Sequence, residues 1–337
     1  MELSTVWFII ITTLWTGYFV LEGFDFGVGM LLPVLGRGSD SLDTDRRRRV
    51  MINTIGPVWD GNEVWVLTAG GATFAAFPHW YATLFSGFYL PLLIILVALI
   101  MRNLGFEYRH KRDSPVWKSR WDWAIIIGSF LPALLWGVAF TNIVRGVPID
   151  ADKEFTGNLF TLLNPMALLG GLVTLTLFLT HGSMYAAYKT DGHIRYEARR
   201  LAGRLGLVAL PLALVYLVVI GIQEGSLWSW ITTVIAALSL VAAIILNARG
   251  REALAFTAMM TAIGMAVPTL FLALYPDVMP STLNPAWSLT TTNASSSELT
   301  LKIMTIVALI FTPLVLLYQS YTYWVFRKRI AVHHIPG

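Results

Sequence analysis

The stretch "LEGFDFGVGM", Leu21 to Met30, lies inside an otherwise apolar run from Val6 to Leu35. A run of that length is what a membrane-crossing helix requires, since about 20 apolar residues span a bilayer. Yet it carries two carboxylic acids, Glu22 and Asp25, three positions apart and therefore on one helical face. A charge at the bilayer centre costs about 2.5–3.5 kcal/mol on insertion scales. Gly23 and Gly27 form a small-xxx-small pair on the same helix, with Gly29 beyond them, and such glycines let a second helix approach closely. The stretch is therefore read as a helix contact carrying buried acids, not as a lipid face.

Composition extends this reading to the whole chain. Of 337 residues, 56% are hydrophobic and only 13% are charged, against about 25% charged in soluble proteins. The fold class is all-α integral membrane. Nine apolar runs are read as spans, near 6–35, 58–77, 80–101, 123–145, 161–188, 205–222, 227–247, 252–275 and 299–326. They are too long for barrel strands, and helices are the other structure that satisfies its own backbone in lipid. The chain is taken as one polytopic domain over residues 1–337, with no clear internal repeat and no cleavable signal peptide.

The basic residues order these runs. Of 24 Lys and Arg, only Arg145, Lys153 and Lys302 fall outside one alternating set of connections. The positive-inside rule then puts the C-terminus in the cytoplasm and the N-terminus outside. A net charge of +4 spread in this way does not point to nucleic acid. The polar loop near Tyr275 to Glu298 contains the sequon "NAS" at Asn293, read as a chance match in a Ser/Thr-rich segment.

The second run holds another acid pair in "PVWDGNEVW": Asp60 and Glu63. Two placements of Asp60 stay open. If the helix begins near Val50, Asp60 lies ~15 Å deep, level with Asp25. If it begins at Pro57, Asp60 sits near a helix N-terminus, where the dipole favours its anion. Glu107, in "RNLGFEYRHKR", is read as an interfacial acid just past the end of the third span, flanked by Arg102 and Arg109. Intramembrane acids usually mark ion or proton paths; the plainer alternative is that they pair with arginine or cap helices.

Redox machinery is missing. The chain has no cysteine, which excludes disulfides and thiolate ligands. Haem ligation within a bundle needs deep histidines. Only His181 lies inside a span, and it is read as a packing residue. No Walker or dinucleotide motif is found, and no haem or metal is expected in this chain.

The motifs "GFDFGVGML", "PVWDGNEVWVLTAGGATFAAFP", "FSGFYLPLL" and "GFEYR" strongly resemble subunit II of the cytochrome bd quinol oxidases. "LPALLWGVAF" and "LLNPMALLGGL" extend the resemblance at lower density. It implies two four-helix bundles plus a peripheral helix, paired in the membrane with a haem-bearing subunit I that holds haems b and d. It further implies reduction of O2 to water in aerobic respiration, in a bacterial cytoplasmic membrane. Subunit II would support assembly and help deliver cytoplasmic protons, without a catalytic site of its own. Some members hold a quinone as a structural lipid, and a small accessory subunit is a further partner to expect. By position, Asp60 matches the acid most directly tied to the proton path and Asp25 a second buried acid. Glu107 stands where other members can carry Asp, and Glu63 where Gln also occurs. The alternatives are a proton-coupled secondary transporter, which would show two matching halves with broken helices, and a purely structural subunit with inert acids.

Overall fold

The computed structural model of the protein describes residues 2–335. Thirteen α-helices follow one another among them: α1 Leu3–Met30, α2 Leu32–Leu35, α3 Ser41–Ile55, α4 Trp59–Ala76, α5 Pro78–Gly87, α6 Tyr89–Tyr108, α7 Pro115–Arg145, α8 Leu159–Leu162, α9 Pro165–Lys189, α10 His193–Glu224, α11 Leu227–Ala248, α12 Glu252–Leu274 and α13 Glu298–Val325. The protein is an all-α integral membrane protein. Eight helices are long and apolar enough to cross a membrane: α1, α6 and α7, and α9 to α13. The 18-residue α4, with Asp60 and Glu63 near its start, is not among those eight.

Local chemistry explains the boundaries. Asp40 caps α3 by accepting from the Leu42 and Asp43 amides at 2.9 Å, the usual service of an Asp at this position. Ser226 caps α11 reciprocally with Ser229, so "QEGS" suffices to end one helix and start the next. The apolar run near 80–101 is divided. Pro78 opens the short α5, and Phe88 breaks the helix before α6 begins at Tyr89. The run near 205–222 is only the later part of α10, whose earlier turns carry Arg195, Arg199, Arg200 and Arg204. Apolar runs report the part of a helix that lipid can solvate, and polar helix ends extend beyond them.

Helix α1 is central, packing on α4, α7, α9 and α12. Every residue from Glu22 to Leu32 is buried, so the acid-bearing stretch has no lipid face. The glycines are the reason. A Cβ added at Gly27 would strike the Phe178 carbonyl and lie 2.7 Å from Cα of Gly182 on α9. A Cβ at Gly23 would sit 2.7 Å from the Phe178 ring. The outlier is α13, along which Leu301 is the only buried residue. The loop after α12 folds into a two-stranded sheet, β1 Asp277–Met279 with β2 Leu289–Thr290. Asn293 closes its turn, accepting from the Thr290 amide at 2.8 Å and donating to the Ser288 carbonyl at 3.0 Å.

A band of ion pairs joins the α3 end of the bundle. Asp122 of α7 accepts from Arg48 at 2.7 Å and from Arg109 at 2.6 Å. Asp45 meets Arg109 at 2.9 Å and Lys118 at 3.1 Å. Nearby, Glu252 at the start of α12 is held by Arg195 at 2.9 Å and by Arg329 of the C-terminal tail at 3.5 Å.

Candidate functional site

Helices α1, α4 and α6 bring one cation and three carboxyl groups together. Glu22 accepts from Arg102 of α6, and neither side chain is exposed. The Arg102 guanidinium lies over the rings of Phe26 and Phe106, 4.9 and 5.0 Å from their centroids. Both rings add cation–π attraction to a guanidinium that is out of reach of solvent. Asp25 has no direct cation partner; its Oδ2 accepts from Nδ2 of Asn62 at 2.7 Å. Glu63 accepts from the side-chain amide of Asn103. Arg102 is within electrostatic reach of all three acids.

This cluster is incompletely paired. Glu22 Oε2, Asp25 Oδ1 and Glu63 Oε1 are buried without a protein partner, as are Nε and Nη2 of Arg102 and Oδ1 of Asn103. Buried polar atoms are normally hydrogen-bonded, so a concentration of unpaired ones marks a place suited to bound water or a migrating proton.

Two expected members stand apart. Asp60 lies in the first turn of α4, whose N-cap is Val58, and it is exposed on this chain. Of its two placements, the helix N-terminus is the one found, because α3 ends at Ile55 and a turn through Pro57 separates it from α4. Glu107 is also exposed, and it lies within α6 rather than past its end. Its two expected arginine neighbours are engaged elsewhere: Arg102 with Glu22, Arg109 with Asp122 and Asp45. The reason is helical phase. Arg102 and Arg109 face the interior while Glu107 faces out.

Sequence reasoning did not find Arg102, Asn62 or Asn103 as members of the site. The signal for Arg102 was its position: α6 continues to Tyr108, so this arginine lies well inside the helix. His181 is buried, with Nε2 2.9 Å from the Val20 carbonyl oxygen and its ring stacked on Phe256. Its Nδ1 is buried without a protein partner. Among the described residues, no group of three or more His, Asp or Glu side chains could hold a metal ion.

The model of the cytochrome bd terminal oxidase subunit II family matches residues 3–326. The chain belongs to that family. Cytochrome bd ubiquinol oxidase subunit 2 of Bacillus subtilis (strain 168) is 40% identical to it, covering 98% of this chain and 97% of the relative. Cytochrome bd-I ubiquinol oxidase subunit 2 of Escherichia coli (strain K12) is 39% identical, covering 99% and 96%. A chain in the structure of bd oxidase from Geobacillus thermodenitrificans superposes with a TM-score of 0.78 at 19% identity, over 97% of this chain and all of that one. That last likeness is one of fold. Membership makes the chain a subunit of a membrane-bound respiratory quinol oxidase. The transporter reading is displaced, since matches to family and relatives run nearly end to end.

Proposed function

We propose that this subunit pairs with the haem-bearing subunit I, supports its assembly and carries cytoplasmic protons toward the haems where O2 is reduced. The observation that carries the reading is the excess of acid over base in the buried cluster. One arginine neutralises one carboxylate, and a buried charge without a partner is strongly disfavoured. Three carboxyl groups share Arg102, each with an unpaired oxygen. Such groups can take and release protons inside the bundle, directly or through bound water, which is the role intramembrane acids commonly serve.

The order of the residues suits a path. Glu107 is open on the surface and can collect protons, and Asp60, exposed on this chain, lies on the α4 face toward subunit I, where it can pass them inward. Glu63 lies one helical turn after Asp60 and interacts electrostatically with both Asp60 and Arg102. Asp25 and Glu22 lie deepest. Glu22 differs from the others: its ion pair with Arg102 favours a role in holding α1 to α6 during assembly.

Pairing is supported by the outward side of α4. Asp60, Gly61, Thr68 and Gly71 are exposed there, and a Cβ added at Gly70 or Gly71 would meet nothing within 4 Å. Carboxylates and bare glycines are poor lipid contacts and good helix contacts, so subunit I covers this face. The reading takes α4 as a ninth span, α13 as the peripheral helix of two four-helix bundles, and the N-terminus outside with the C-terminus in the cytoplasm. Haems b and d of subunit I supply the electrons to oxygen, and the residues of this chain hold and move protons. A cleft of ~560 Å³ between α13 and the body, lined by Phe24, Trp65, Tyr185, Tyr188 and Phe256 among others, suits the ring of a structural quinone.

The test is quinol-driven oxygen consumption per haem at several pH values in the whole oxidase. Asp25→Asn and Asp60→Asn keep shape but cannot titrate, and are expected to slow turnover at least ~100-fold with haem content intact, the lower end for lost acid–base function. Full turnover would reject the proton path. Loss of haem would assign the residue to assembly instead.

A further inference from the structure

Asn62 and Trp65 belong to the same motif as Asp60 and Glu63, and the proton path leaves both unexplained. Their side chains form a chain of hydrogen bonds that runs in one direction. The Trp65 indole Nε1–H donates to Oε1 of Gln319 on α13 at 3.0 Å. Nε2 of Gln319 then faces Oδ1 of Asn62 at 3.3 Å and the Gly61 carbonyl at 3.4 Å. The Tyr323 hydroxyl donates to the same Oδ1 at 2.7 Å. With its oxygen occupied by two donors, Asn62 turns its NH2 to Oδ2 of Asp25 at 2.7 Å and to the Leu21 carbonyl at 3.4 Å.

Amide oxygens and nitrogens can usually exchange places, but here the ends of the chain decide. An indole N–H can only donate. It therefore orients Gln319, which with Tyr323 orients Asn62. A reversed Asn62 would set its NH2 against the Gln319 NH2, donor to donor, and its oxygen against the Leu21 carbonyl and the ionised Asp25 carboxylate, acceptor to acceptor. The indole is itself held, because its ring rests on Gly17 of α1, where an added Cβ would collide with it.

We propose that Trp65 is a positioning residue for Asp25: acting through Gln319 and Asn62, it pins Oδ2 and leaves Oδ1 as the oxygen that takes the proton. Of the two Asp25 oxygens, Oδ1 is the one buried without a partner. Glu22, Glu63, Arg102, Tyr185 and Tyr323 are the ionisable groups around it. The inference rests on the proton-path reading. It also gives a role to α13, which delivers Gln319 and Tyr323 to the site.

The experiment uses the assembled oxidase and the infrared carbonyl band of protonated Asp25, recognised as the band that Asp25→Asn removes. Trp65→Phe keeps the aromatic contact with Gly17 but removes the donor. Gln319→Glu keeps an acceptor for Trp65 and, as the carboxylate, offers Asn62 no donor. Both are expected to shift and broaden the band as Asn62 begins to turn. Turnover should fall ~2- to 10-fold at unchanged haem content, the scale of one hydrogen bond. Tyr321→Phe, on an exposed side of α13, should change neither. An unmoved band in both variants overturns the proposal, and so does the absence of any Asp25 band, since a carboxyl that never protonates has no oxygen to select. If the band moves while Asp25→Asn retains full turnover, positioning stands and the proton path fails. If Trp65→Phe does not assemble, Gln319→Glu decides.

Discussion

Arg102 and Glu22, 80 residues apart in sequence, form an ion pair in which neither side chain has any exposure. It bridges α6 to α1, the helix that packs on α4, α7, α9 and α12. A pair so placed is costly to leave half-made.

Arg102→Met is therefore expected to destabilise the subunit by about 3–5 kcal/mol, because Glu22 would lose its counter-ion in a dry site. The double variant Arg102→Met/Glu22→Gln removes both charges and should recover much of that loss. Thermal unfolding of the purified oxidase, with haem retention alongside, measures both. A double variant no better than the single would show that the packing of Arg102 on its two rings, rather than its charge, is what matters.

The glycines of α1 and α4 should respond in opposite ways. Gly27→Ala pushes a methyl group against the backbone of α9, and backbone cannot swing aside, so about 1–3 kcal/mol should be lost. Gly71→Leu meets open space within this chain. It should leave the subunit folded but reduce co-purification of subunit I. Normal complex yield from Gly71→Leu would move the interface away from α4.

Orientation is open to a direct chemical test, since the chain has no native cysteine. A cysteine replacing Ser41, exposed at the start of α3, should resist an impermeant thiol reagent in intact cells and react after the membrane is opened. Labelling of intact cells would reverse the assigned topology.

Asp45 gives a pH signature. Burial works to raise its pKa, but hydrogen bonds and charge from Lys118 and Arg109 outweigh that and hold it below the usual carboxylate value. A lowered folded-state pKa contributes stability that is present above the unfolded value, about 3.9. That stability is lost as pH falls through the folded value. Asp45→Asn should lower the thermal midpoint at neutral pH and flatten its decline below pH ~4. Equal slopes for parent and variant in acid would show that the ion pairs of Asp45 contribute nothing.

The class of the protein was determined by the sequence alone, because solvation by lipid acts locally. Long apolar runs, a low share of charge and the placement of Lys and Arg are enough to specify an integral membrane protein of many helices. The buried character of "LEGFDFGVGM" was also legible, since Gly23 and Gly27 on one helix with two acids leave no sensible lipid face. Only the tertiary structure decided which acids share a site. Helix phase turned Arg102 inward and Glu107 outward, and the break between α3 and α4 brought Asp60 to the surface. The partners that define the cluster come from distant segments: Arg102 for Glu22, and Tyr323, 261 positions from Asn62. Hydrogen bonds and desolvated ion pairs depend on distances of about 3 Å, and such distances are settled by how helices pack, not by spacing along the chain.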